Sequence, residues 1–146
     1  RHVMRVLAIC TLIGFFGLGM ETFVTAIDVA WGKMMRGQPY TDLNGYSSLW
    51  YFPLYFSSPL LFEICRQLGL LNHSLLVRGT AYTLIIFAAE YIGTGITQKL
   101  VGRAPNEKIY RRSRWNINGR IKLSLAPAWF IAGLSLEYIF LQLVNL

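Results

Sequence analysis

Four glutamates lie inside otherwise apolar stretches of this 146-residue chain: Glu21, Glu63, Glu90 and Glu137, with Asp28 near the end of the first stretch. A charge at mid-bilayer costs on the order of 3 kcal/mol on insertion scales, so each acid needs a partner or a purpose. Carboxylates so placed can bind a cation or proton, or receive the cationic head of a lipid-like molecule. They can equally neutralise a basic side chain such as Arg120 folded in from a loop. Crowding and desolvation can also leave some of them protonated and neutral. Counting about 1.5 Å per residue, Glu21 and Glu137 lie about 15 Å, and Glu90 about 10 Å, from the same end of their helices. Glu21, Glu90 and Glu137 are therefore expected to converge. Glu63 has Arg66 three residues on as an ion partner and reads as structural.

Other chemistry is thinly represented. The only histidines, His2 and His73, fall at span ends, so no metal site or haem pair is expected, and no cofactor. There is no phosphate-binding Gly-x4-Gly-Lys-Ser/Thr loop and no nucleophile elbow, so no catalytic residues are assigned and an enzyme is the less favoured reading. An intramembrane enzyme using a glutamate as acid or base would carry no motif. Cys10 and Cys65 fall at similar depth; apolar packing is the expectation, with a disulfide open if that face is oxidising.

The elements that must position these acids are membrane helices. Hydrophobic residues make up 54% of the chain and charged residues 14%, where a soluble domain carries about 25% charged; the mean hydropathy is +0.42. The apolar residues form four runs near the ~20 residues that cross ~30 Å of hydrocarbon. The expected fold is all-α: a single domain over 1–146, an integral membrane four-helix bundle with spans near 3–31, 47–71, 74–97 and 123–146. The first run is too long for a signal-peptide core, which is 7–15 residues, and carries Glu21 and Asp28, so it is expected to be retained. Gly14, Gly17, Glu21 and Asp28 share one face of it, and Gly79, Thr83, Glu90, Thr94 and Thr97 repeat the pattern on the third. Phe130, Gly133 and Glu137 complete a polar seam from the fourth, the small residues letting neighbouring backbones approach.

Asn72–His73 joins the second and third spans as an antiparallel pair. The longer connections, 32–46 and 98–122, then share a face that holds ten of the fourteen Lys and Arg. The positive-inside rule places those loops in the cytoplasm and both termini on the opposite face. Eight bases against the single acid Glu107 crowd the 98–122 loop. Without a soluble basic module, nucleic acid is not an expected partner. Anionic lipid headgroups are, at about 1 kcal/mol per basic residue near the surface, through Arg111, Arg112, Arg114 and Trp115. Tyr110 is expected at the same interface.

The second span laid over the fourth with an offset of 74 matches Gly45, Leu49, Pro53, Phe56, Leu60 and Glu63 to Gly119, Leu123, Pro127, Phe130, Leu134 and Glu137. Gly-x7-Pro-x9-Glu is not a composition effect, so two parallel two-helix repeats, 1–71 and 74–146, are expected. Proline in a first turn fits, since its missing N–H has no partner there anyway.

The stretch Ser47-Ser48-Leu49-Trp50-Tyr51-Phe52-Pro53-Leu54-Tyr55 with Leu61-Phe62-Glu63 resembles the transmembrane protein 229 group. So does Asn116-Ile117-Asn118-Gly119-Arg120-Ile121-Lys122-Leu123, followed by Pro127-Ala128-Trp129 and Glu137. That group is placed with the CmpB-type ABC-transporter-like membrane proteins. The resemblance runs from Glu21 to Glu137 and implies a small four-helix membrane protein, with a transporter label that is a name more than an activity. The family's Trp-Asp-Tyr-Ser is replaced here by Tyr110-Arg111-Arg112-Ser113-Arg114-Trp115, which favours an anionic partner.

Two functions follow as expectations. In the first, Glu21, Glu90 and Glu137 hold a cation, proton or lipid-like molecule in transit or at rest, with Asn116, Asn118 and Arg120 gating from the cytoplasmic side. In the second, the chain is a non-catalytic accessory subunit packed against other membrane subunits or copies of itself, bound to anionic lipid through its basic loop.

Overall fold

The computed structural model describes residues 1–146. Five α-helices form: α1 (His2–Met35), α2 (Phe52–Gln67), α3 (Leu75–Val101), the single turn α4 (Glu107–Tyr110) and α5 (Ala126–Asn145). Three helical segments, α1, α3 and Leu123–Asn145, are long and apolar enough to cross a membrane. Their outward residues suit the same surroundings. Phe15, Phe23, Leu84, Ile92, Ile131 and Tyr138 are all exposed, an arrangement natural against lipid and unfavourable against water.

The second expected span is shorter than its apolar run. Residues Leu49–Tyr51 form a 3-10 turn, and α2 itself has 16 residues, about 24 Å of helix. Pro53 sits in its first turn and Pro59 in its interior. A proline at 59 leaves the carbonyl of residue 55 without its helical donor; the Ser58 hydroxyl donates to that Tyr55 oxygen at 2.7 Å and so repairs the break.

Two helix pairings dominate, α1 with α2 and α3 with α5. Glycine makes both close. A Cβ on Gly17 would run into the Tyr55 ring, and one on Gly133 would lie 2.5 Å from the Tyr82 Cβ. The segment after α1 doubles back along it, with the Thr25 hydroxyl donating to the Tyr46 carbonyl (2.7 Å) and accepting from the Tyr46 amide (2.8 Å). Arg5 donates to the Val144 carbonyl at 2.6 Å, which gathers both termini at one end of the bundle. Lys122 bonds Asp28 at 2.7 Å, which brings the long connections to the other end.

Two apolar clusters result. Ile13, Phe62, Cys65, Tyr82, Leu136 and Phe140 form one, with Phe62 edge-on to Tyr82 and stacked on Phe140. Phe87, Tyr110, Ile121, Leu125, Trp129 and Ala132 form the other. Cys10 and Cys65 are free and buried.

One element falls outside an all-helical reading. Asn116–Ile117 (β1) pairs antiparallel with Ile121–Lys122 (β2). The turn between them needs positive φ at both central residues, as type I′ turns do, and Asn118 (+54°) with Gly119 (+67°) supplies it.

Candidate functional site

A cavity of about 470 Å³ lies between α2 and α3, with α1 and α5 behind it. Nothing seals its outer side: Leu60 (66% exposed) and Ile64 (45%) stand at the rim on α2, and Ala88 faces them from α3. The two helices meet above and below this opening. Leu54 packs against Gly93 at one end, and the Leu68–Ser74 turn joins them at the other. Between these points Ser57, Ser58, Ala88 and Ala89 are too small to close the gap.

The lining is mostly apolar, with two acids at its depth, Glu21 from α1 and Glu90 from α3. Their helices bring them in by periodicity: Gly14, Gly17, Glu21 and Thr25 are buried along one stripe of α1, and Glu90, Thr94 and Thr97 along one of α3. Glu21 accepts from the Ser47 hydroxyl at 2.9 Å. Glu90 accepts from the Tyr110 hydroxyl at 3.1 Å through Oε1. Its Oε2 is buried and without a partner, and so is the Trp129 indole Nε1, though the two residues line the same cavity at 5% and 3% exposure.

The third expected member stands elsewhere. Glu137 is bound bidentately by Arg78 (2.6 and 3.2 Å) and accepts from the Tyr82 hydroxyl. The expected convergence of three carboxylates is thus corrected to two. The physical reason is that α3 and α5 run antiparallel with Arg78 opposite Glu137, so that acid has its own counter-ion, toward the terminal end of the bundle. Glu63 is held by Arg66 at 2.6 Å and by Gln67 at 3.0 Å, as its spacing implied.

The expected gating residues are drawn into local structure instead. Asn116 accepts from the Gly119 amide at 3.0 Å and donates to the Ser113 carbonyl, which fixes the β1–β2 turn. Asn118 donates to the Tyr91 hydroxyl at 2.8 Å. Arg120 lies 4.7 Å over the Tyr91 ring and donates twice to Gln98, so it does not neutralise the buried acids. These contacts fasten the hairpin to α3.

Of the basic-loop residues, Arg111 pairs with Glu107 at 2.7 Å, and Arg112 is exposed. Arg114 covers the exposed Trp115 ring at 5.0 Å. Arg111 holds the Glu107 carboxyl below its ordinary range, with the Ala104 amide assisting. Lys33 does the same for Asp42 across the first long connection.

Tyr110 departs from its expected interfacial place. It is buried, because residues 104–110 fold back over the bundle and α4 presents its phenol inward. Burial, and then the Glu90 carboxylate, push that phenol well above its usual titration range, so it stays a donor. Asn106 is buried beside it and donates to the Tyr51 hydroxyl at 3.2 Å. Ser47, Tyr51, Asn106, Tyr110 and Trp129 therefore join the site, none of them anticipated from spacing. For Tyr51, Asn106 and Tyr110 the sequence trace is the presence of aromatic and amide residues in connections that would otherwise be solvated.

Compared with known proteins, the chain matches no family model, no curated protein and no solved structure.

Proposed function

We propose that this chain is a multi-pass membrane protein that binds, without converting it, a small lipid-like molecule whose polar end is held by Glu21 and Glu90. The observation that carries this reading is the unpaired, buried Oε2 of Glu90, a residue that lines a cavity of about 470 Å³, a volume in the range of drug-sized ligand sites. Unpaired buried acceptors are uncommon and ask for a partner. No third carboxylate, thiol or imidazole stands beside the two acids, which favours an organic group over a bare metal ion.

Four membrane crossings and two parallel repeats belong to this proposal. The 3-10 turn and α2 together extend about 30 Å, enough to cross. Each hairpin has the same order, a glycine, a 3-10 turn opened by Leu49 or Leu123, and a proline in the first helical turn. The bases at the connection end then favour cytoplasmic loops and external termini. Kinship with the transmembrane protein 229 group is proposed on the segments around Pro53 and Gly119 alone.

A second reading is favoured by one observation: Arg112 and Arg114 are exposed beside Trp115 on the loop surface. We propose that this face rests on anionic headgroups, whether or not other subunits pack on the outer face of α1.

The experiment is lipid extraction from the purified protein. Molecules co-purifying with the native chain are expected to be depleted in a Glu21→Gln/Glu90→Gln variant that elutes normally. Identical extracts would contradict the carboxylate site.

A further inference from the structure

The opening between α2 and α3 and the two unpaired polar atoms behind it have a joint explanation. We propose that this opening is a lateral portal through which a neutral, hydroxyl-bearing amphiphile enters from the bilayer, its hydroxyl lodged between Glu90 and Trp129. The proposal rests on the carboxylate-site reading above and specifies the ligand class and its route.

The route follows from the rim. Leu60, Ile64 and Ala88 are exposed, and a helix surface of this composition faces acyl chains when α3 and its neighbours cross a membrane. The connection end is closed by Tyr51, Asn106 and Tyr110, which are buried and hydrogen-bonded across it. Water-borne ligands thus meet a capped end, while lipid-borne ones meet a gap.

The head group follows from complementarity. Trp129 Nε1–H can only donate, whereas Glu90 Oε2 accepts as a carboxylate and donates as a carboxylic acid. A hydroxyl, with one proton and two lone pairs, satisfies the indole together with either form of the acid. A phosphodiester would bring negative charge to two carboxylates and has no proton to give. A quaternary ammonium neither donates nor accepts, and would face the positive edge of the indole. The remaining lining, Leu54, Leu61, Ile85, Ile86 and Leu136 among it, offers an apolar chain nothing but hydrocarbon.

The test uses the full chain in phosphatidylcholine nanodiscs and a long-chain primary alcohol bearing a mid-chain diazirine. Photolabelling is expected on α2 and α3 at Leu61 and Ile85, displaced by the unlabelled alcohol but not by an alkyltrimethylammonium of equal length. Ala88→Trp and, separately, Leu60→Trp fill an exposed rim without displacing core, and each is expected to reduce that labelling while labelling of Phe23 on α1 is unchanged. Trp129→Phe is expected to weaken competition by the alcohol by roughly ten-fold, the effect of one hydrogen bond. Labelling confined to outward residues such as Leu84 and Ile92, or undiminished in both rim variants, would overturn the portal. Equal competition by the ammonium compound would overturn the hydroxyl assignment and leave the carboxylate site standing. Displacement by neither compound would remove both.

Discussion

At the scale of single residues, Glu90 and Glu137 show how one residue type takes two roles according to what faces it. Glu137 meets Arg78 and Tyr82 and is fully engaged; Glu90 meets one phenol and keeps an oxygen free. Removing one partner from the first group should therefore be costly. Arg78→Met is expected to destabilise by about 3 kcal/mol or more, because it strands a buried charge. The triple variant Arg78→Met/Tyr82→Phe/Glu137→Leu should recover most of that loss, which denaturant titration in detergent would reveal. Tyr110→Phe should lower stability by about 1–3 kcal/mol, the loss of Glu90's remaining donor, and equal stability to the native chain would show that bond to be dispensable. The acids themselves were legible in the sequence, since charge in an apolar run needs no context to be noticed. Their partners were not. Tyr110 and Asn106 lie 20 and 16 residues beyond Glu90 in a basic stretch that reads as solvated, and only the backward fold of residues 104–110 brings them inside.

At the scale of elements, the helices were legible from apolar runs and the site's walls were not. The small-residue stripes on α1 and α3 pointed correctly to close approach, and Gly133 on α5 packs as closely against the root of the Tyr82 side chain. Gly133→Ala should destabilise by about 1–3 kcal/mol as the new methyl meets Tyr82, and a normal melting profile would contradict the packing described. The segment 47–71 read as one full span because periodicity counts apolar residues and does not see a 3-10 lead-in or a repaired proline. The Asn-x-x-Gly-Arg segment read as a gate because amides and a guanidinium suggest ligands. Positive φ at Asn118 and Gly119 shows why the turn itself requires them. The loop that carries this turn is acid-sensitive. With Glu107 held below its ordinary range by Arg111, the pair contributes above the unfolded carboxyl value of about 4.3 and is lost as pH falls through the lower folded value. Being exposed, the effect is small. Amide exchange of residues 104–111 should quicken below about pH 4, and Glu107→Gln should exchange faster at neutral pH with no further acid step. Acid-independent exchange in the native chain would refute the anchoring.

At the scale of the whole molecule, the bundle is tight where α1 meets α5 and open where α2 faces α3. That asymmetry was hidden from the sequence, which matches the two halves at Gly, Pro and Glu and so suggests equivalent sides. Ser57, Ser58, Ala88 and Ala89 break the equivalence by leaving the wall of one side thin. On the proposed reading the consequence is a cavity that meets hydrocarbon rather than water, with two carboxylates at its depth. The most direct measurement is of intermolecular nuclear Overhauser contacts between the acyl chain of a bound long-chain alcohol and methyl-labelled protein in nanodiscs. The account predicts contacts to Ile85, Ile86 and Leu136 inside the cleft, lost in the Glu90→Gln variant. Contacts restricted to the outward Leu84 and Ile92, with the inner methyls silent, would contradict it.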